Sequence, residues 1–267
     1  MNIEIDSCST PADPVGREFV ITSDIDWAPD YVLADALELF EQCDVRVTLL
    51  ATHSTEVLMG IDEGKYELGI HPNFNGVSPD DNVEPRAVVE RLQELFPNAK
   101  CVRAHCLVES TKILDVYSEC GLNYDLTQFI PYQGLPLPYR RPSGLVRVPF
   151  NWEDDYHFDS DRSFGDSEVT LGPAGFDIYN FHPIHLFLNT ETPDRYLDAK
   201  RRLESDIEIH SIRNMGPILG TRDLFLKLCD TDSPYATYSS NCSLIPLVER
   251  VLRCSEDVPF LKAAPLE

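Results

Sequence analysis

The chain has 267 residues and carries 45 Asp and Glu against 22 Lys and Arg, a net charge of −23. That balance excludes a general nucleic-acid binder, which needs clustered Lys and Arg on phosphate, and it opposes docking on an anionic membrane. With 43% hydrophobic and 10% aromatic residues, a chain of this length can build one large α/β core.

The opening MNIEIDSCSTPADP has neither a basic nor an apolar signal region, and no apolar run approaches the ~18–20 residues that span a bilayer. A cytoplasmic protein with no membrane span is expected. The eight cysteines show no C-x-x-C or zinc-finger spacing and read as reduced thiols.

Residues 1–16, rich in Pro, Ser and Asp, predict a flexible or edge-bound lead-in. Residues 19–22 (FVIT) form a short β-branched run, the mark of a buried strand. Residues 29–41 have helical periodicity, with Asp30 as a candidate N-cap. Strands follow at 45–51 and 66–70, with a helix over 54–59 between them. The rhythm continues with a helix over 84–95, a strand at 101–104 and a helix over 111–120. Gly121 suits the position after that last helix. Residues 122–125 are strand-like, 129–144 are Pro-rich and irregular, and 146–150 and 176–181 are further strands. Beyond residue 190 come a charged helix within 191–209, a helix over 221–229, a polar loop over 230–241 and a periodic segment over 244–252. No linker separates this tail, so residues 1–267 are expected to form one domain, with 191–267 packed on the barrel or completing it.

Such alternation predicts parallel strands with crossover helices, in either a barrel or an open doubly wound sheet. One pattern favours the barrel. Residues able to carry chemistry follow several different strands: Asp24 and Asp26, His71, Arg103, Glu153 and Asp154, and His182. In a barrel all strand ends meet on one face, whereas an open sheet gathers its site at a switch point. Two carboxylates two apart on an extended segment project to one side, so Asp24 and Asp26 can divide the work of base and metal ligand. Both could equally cap the next helix. Trp152 beside Glu153, Asp154 and Asp155 offers an indole and carboxylates to a sugar. His182 is a candidate general acid. His185 reads as a helix-start or surface residue. No G-x-G-x-x-G, P-loop, G-x-S-x-G or H-E-x-x-H motif occurs.

Taken in order, strand–DxD, strand–HPxxN, strand–RxH, strand–NWEDD and strand–HP resemble the five motifs of the polysaccharide deacetylases, carbohydrate esterase family four, over roughly residues 19–190. The sub-branch it most resembles is the divergent one of lipopolysaccharide O-antigen loci. The resemblance implies an α/β fold, a distorted (β/α)7 barrel, and a hydrolase that removes an acetyl or formyl group from an amino sugar with one divalent metal ion, zinc foremost. It implies catalytic roles for Asp24 as base, Arg103 as its orienting partner and His182 as acid. It implies Asp26, His71 and Asn75 as metal ligands. Substrate contacts fall to Trp27, Asn73, His105, Trp152, Glu153 and Asp154. The chain departs from the pattern in three ways. Ile25 splits the acidic pair, Asn75 stands where the family has a second His, and His105 stands where it has a Pro. A neutral amide oxygen suits hard cations better than zinc, and His105 could supply the missing nitrogen. An alternative reading is a barrel that has lost its metal and binds a glycan or a protein partner.

Overall fold

The computed structural model describes residues 17–75, 84–133, 137–165, 176–205, 207–230 and 238–256; the expected lead-in lies outside them. In chain order the elements are β1 (Arg17–Asp24), α1 (Asp30–Gln42), β2 (Val47–Ala51), α2 (Glu56–Met59), β3 (Tyr66–Ile70), α3 (Pro85–Leu95), β4 (Cys101–Val102), α4 (Thr111–Glu119) and β5 (Tyr124–Asp125). Then follow β6 (Tyr139–Arg140), β7 (Val146–Arg147), β8 (Trp152–Glu153), α5 (Asp154–Asp159), β9 (Phe176–Asn180), α6 (Pro183–Leu188), α7 (Pro193–Glu204), α8 (Thr221–Cys229), β10 (Tyr238–Asn241) and α9 (Leu244–Glu256). Local chemistry sets several boundaries. Pro29 rather than Asp30 precedes the first turn of α1, so Asp30 sits inside it, where its charge meets the helix dipole. Thr55 and Ser110 cap α2 and α4 through bonds from the Leu58 and Ile113 amides. Gly121 follows α4 at φ 78°, a conformation that favours glycine.

The strands pair in the order β6-β7-β5-β4-β3-β2-β1-β9-β8. Every ladder is parallel except the β6–β7 hairpin. One stretch, residues 146–153, joins the two sides of this path: its first half, β7, pairs with β5, and its second half, β8, pairs with β9. Between them the Phe150 amide donates to the Gln128 carbonyl. The sheet therefore curls round on itself as a distorted barrel of seven parallel positions: β1 to β5, the 146–153 stretch and β9.

Strand alternation then decides what fills the barrel. Val20, Leu50, Cys101, Tyr124, Val146 and Ile178 pack together with Leu244, Leu247 and Val248 of α9. Their neighbours Ile21, Leu49, Val102 and Tyr179 belong to the other cluster, with Leu33 and Phe40 of α1, Val89 of α3, Tyr117 of α4 and Phe225 of α8. The last of the described helices thus contributes to the inner cluster. Its first amides, at Leu244 and Ile245, donate to the Glu67 carboxylate. The expected polar loop over 230–241 ends instead in β10, which pairs with the start of β1, while the Asn241 side chain bonds the Arg46 backbone at both N–H and carbonyl. No helix among the described residues is long and apolar enough to cross a membrane.

Gly69 shows how tight the packing is. A Cβ there would lie 2.5 Å from Cys101 Sγ and 2.8 Å from the Cys101 carbonyl oxygen. Gly69→Ala is therefore expected to destabilise the fold by about 1–3 kcal/mol through overpacking, read as a lowered Tm in thermal denaturation.

Candidate active site

Along β1 the residues in step with Val20 are Thr22 and Asp24, so the barrel lining turns from apolar to polar as the strand ends. Arg103, one residue past β4, is fully buried. Its Nη1 donates to Asp24 Oδ1 at 3.0 Å and to Thr22 Oγ1 at 3.0 Å, and its Nε to the Leu126 carbonyl at 3.1 Å. The guanidinium lies 4.0 Å over the Phe150 ring. Asn180, at the end of β9, was not singled out from sequence. Its amide donates to Asp24 Oδ2 and to Glu153 Oε1, each at 3.0 Å, and its carbonyl accepts from Thr22. Burial works against ionisation of Asp24, but the charges of Arg103, His71 and His182 hold its carboxyl below the usual range.

Asp26 does not continue the strand, as two-residue alternation predicts. It lies in a turn closed by the Ala28 amide on the Ile25 carbonyl, at φ 45°, a strained conformation for a non-glycine residue. Thr52 holds it there by donating to its carbonyl. The turn brings Asp26 Oδ1 within 3.4 Å of His71 Nε2 and 3.1 Å of His105 Nδ1, and those two nitrogens lie 3.4 Å apart. His71 Nδ1–H donates to the Arg103 carbonyl at 2.8 Å, which aims Nε2 at this group. Burial opposes the charge on Asp26, yet the bonds from His105 and His71 hold its carboxyl well below the usual range. Asp26, His71 and His105 together can hold a metal ion. Their spacings fit one: zinc bonds of ~2.0–2.1 Å in a tetrahedron put donors about 3.3 Å apart.

Asn75 makes no hydrogen bond to this group among the described residues, although its side chain bonds Cys106, next to His105. It is exposed, and its amide donates to Asn73 Oδ1 at 2.9 Å. Residues 71–75 are not helical, so their spacing of four does not by itself set the two side chains on one face. The second imidazole beside His71 is that of His105, in a short 3-10 turn after β4, whose amide donates to the Pro72 carbonyl. Asn73 is half-buried, its carboxamide oxygen engaged in that local turn.

His182 closes the other side. Asp154 accepts from its Nδ1–H at 2.6 Å and from its amide at 2.8 Å, so Nε2 is free for the cleft. Burial lowers the basicity of the ring, but the Asp154 carboxylate overcomes that and holds the imidazolium well above 6.5. Asp154 is fully buried and spent on His182, which removes it from substrate contact. Its own carboxyl is pushed up to about 6 by burial. Glu153, half-buried, is pushed up to about 8 by burial and Asp155. Trp152 is buried among Tyr179, Phe181 and His157, so its faces are unavailable to a sugar. Trp27 is 54% exposed and stands edge-on to His105 at 5.0 Å. His185 is buried rather than superficial, its Nδ1 bonded to Thr190. Asp26, Trp27, His105, Asp155 and His182 all line one cleft of about 430 Å³.

The profile of a family described as WbmS-like polysaccharide deacetylase matches residues 21–200. A crystal structure of a candidate polysaccharide deacetylase involved in O-antigen biosynthesis, WbmS of Bordetella bronchiseptica, is 37% identical with a TM-score of 0.73, over 80% of this chain and 90% of that one. A candidate polysaccharide deacetylase from Mycobacterium smegmatis is 16% identical with a TM-score of 0.50, over 97% and 99% of the two chains; that likeness is one of fold. No curated protein matches.

The His182–Asp154 contact carries a signed prediction. A histidine raised above its unfolded value stabilises the fold below about pH 6.5, and the contribution is lost as pH rises through the folded value. Asp154→Asn is expected to lower the His182 pKa and shrink that pH-dependent stability. Ring-proton NMR titration and denaturation across pH 5–9 would read both; an unmoved His182 resonance would sink the assignment.

Proposed function

The chain belongs to the WbmS-like polysaccharide deacetylase family, and we propose that it is a metal-dependent hydrolase that removes an N-acetyl or N-formyl group from an amino sugar in surface-polysaccharide metabolism. The observation that carries this reading is the grouping of Asp26, His71 and His105 beside Asp24, which is paired with Arg103, and His182, which is paired with Asp154. Asp26, His71 and His105 would hold one divalent cation, which when bound would polarise the acyl carbonyl and ease deprotonation of the attacking water. Two imidazoles and one carboxylate, with a further position open, suit catalytic zinc.

The remaining chemistry belongs to the chain's own side chains. Asp24 takes the proton from the water, its two oxygens held by Arg103 and Asn180 so that it meets the water in one orientation. His182 gives its proton from Nε2 to the departing amine, and Asp154 fixes the ring and stabilises its charge. The product amine is cationic at neutral pH, and the acidic cleft tolerates it. Trp27 supplies the exposed aromatic face that a sugar needs. We place the protein in the cytoplasm. The alternative, a metal-free barrel that binds a glycan or a protein partner, drew its support from Asn75; the place of His105 beside Asp26 and His71 supports the metal-dependent reading over it.

Elemental analysis of tag-free protein is expected to find about one divalent metal per chain. His105→Ala is expected to lose it and Asn75→Ala to keep it. The reverse result would return Asn75 to the ligand set, and absence of metal after incubation with zinc, manganese, cobalt or nickel would overturn the hydrolase reading. With an N-acyl amino sugar, Asp24→Asn is expected to lower kcat by about 10²–10⁴-fold, measured as amine release.

A further inference from the structure

One wall of the cleft comes from no strand end. Tyr196, Lys200, Leu203 and Glu204 line it from α7, and their spacing sets them along one side of that helix. Ala199, between them, is fully buried in a cluster with Val32 of α1, Ile184 and Phe187 of α6, and Ile209, so packing seats the helix. The Tyr196 ring stands edge-on to His185 at 4.7 Å, and His185 edge-on to His182 at 5.5 Å. Tyr196 is thus separated from the proposed acid by the His185 ring and lines the cleft with it, while Trp27 flanks His105. The Tyr196 ring is half-buried, and its hydroxyl has no hydrogen-bond partner among the described residues, so it is available to a ligand in the cleft. Lys200 makes no ion pair among the described residues, and with Glu204 it leaves the α7 wall without net charge.

Resting on the hydrolase reading above, we propose that α7 is the specificity wall of the cleft and that the Tyr196 hydroxyl hydrogen-bonds a ring hydroxyl of the leaving sugar. The chemistry fixes the side. His182 protonates the departing amine, so the sugar that bears it lies beside His182, and the acyl group lies toward Asp26, His71 and His105. A neutral saccharide presents hydroxyls at its rim and an apolar face. Tyr196, Lys200 and Glu204 offer donors and acceptors to the rim, and Trp27 offers an aromatic surface to the face. A site built to bond a hydroxyl rejects a ligand that lacks it, because its own polar group is then left unpaired. A cleft of about 430 Å³ lies in the size class of small-ligand sites.

The test compares wild type with Tyr196→Phe, which keeps the ring and its packing; a thermal melt checks that the fold is kept. The probes are N-acetylglucosamine, N-acetylgalactosamine and N-formylglucosamine, with N-acetylethanolamine as the acyclic amide. Binding is read by tryptophan fluorescence and hydrolysis by amine release. Tyr196→Phe is expected to raise Kd for the preferred sugar by about 3- to 15-fold. It is expected to lower the sugar-to-acyclic ratio of kcat/KM to a similar extent. If Tyr196→Phe binds the sugar as tightly as wild type, or if both substrates lose activity together, the wall proposal is overturned and the hydrolase reading stands. If wild type neither binds nor cleaves any of the sugars, the sugar reading itself fails, and the wall with it.

Discussion

Arg103 carries a permanent positive charge into the barrel interior, where a lone ion would be expensive and a paired one must be bonded on several sides. It is paired with Asp24 at the end of β1, bonded to Thr22 one turn of the pleat below and to the Leu126 carbonyl just past β5, and laid over Phe150. Its own carbonyl receives His71, which follows β3. One residue thus links the ends of four parallel strands and orients a candidate metal-binding imidazole.

From that anchor the two sides of the cleft acquire opposite proton affinities. Arg103 and its neighbours keep Asp24 ionised, whereas Asp154 keeps His182 protonated. Such a separation of a carboxylate and an imidazole through their surroundings is what the proposed base and acid would need to work at one pH. Asn180 joins the halves, since it bonds Asp24 and Glu153 with the same amide. The strained turn at Asp26 has a counterpart in this economy: a carboxylate in a left-handed conformation is tolerated where Thr52, His71 and His105 over-determine its position.

The segment after α6 is part of the same construction. α9 adds Leu244, Leu247 and Val248 to the inner apolar cluster, at the side remote from the polar strand ends, and Glu67 satisfies its first amides. α7 packs on α1 and α6 through Ala199 and faces the cleft with Tyr196. Residues distant in the chain from the strand-end motifs therefore share both the packing beneath the site and its outer boundary.

Much of this was legible without coordinates. Short β-branched runs alternating with amphipathic helices specify parallel strands, because side-chain periodicity is a local property of the chain. Strand-end positions for Asp24, His71, Arg103 and His182 follow from the same reading. What sequence could not decide was which side chains meet. H-x-x-x-N spacing does not by itself put two side chains on one centre, and residues 71–75 are not helical; the side chain that lies against Asp26 and His71 is that of His105, 34 residues beyond His71. Asn180 is one of many asparagines until β9 lies beside β1. Trp152 reads as a sugar platform until β8 turns it into the aromatic cluster, and Trp27 takes the exposed position instead. Local propensity and pattern determined the elements and their order; the closure of the barrel by residues 146–153, a long-range pairing that no window of sequence contains, decided which of their residues share a cleft.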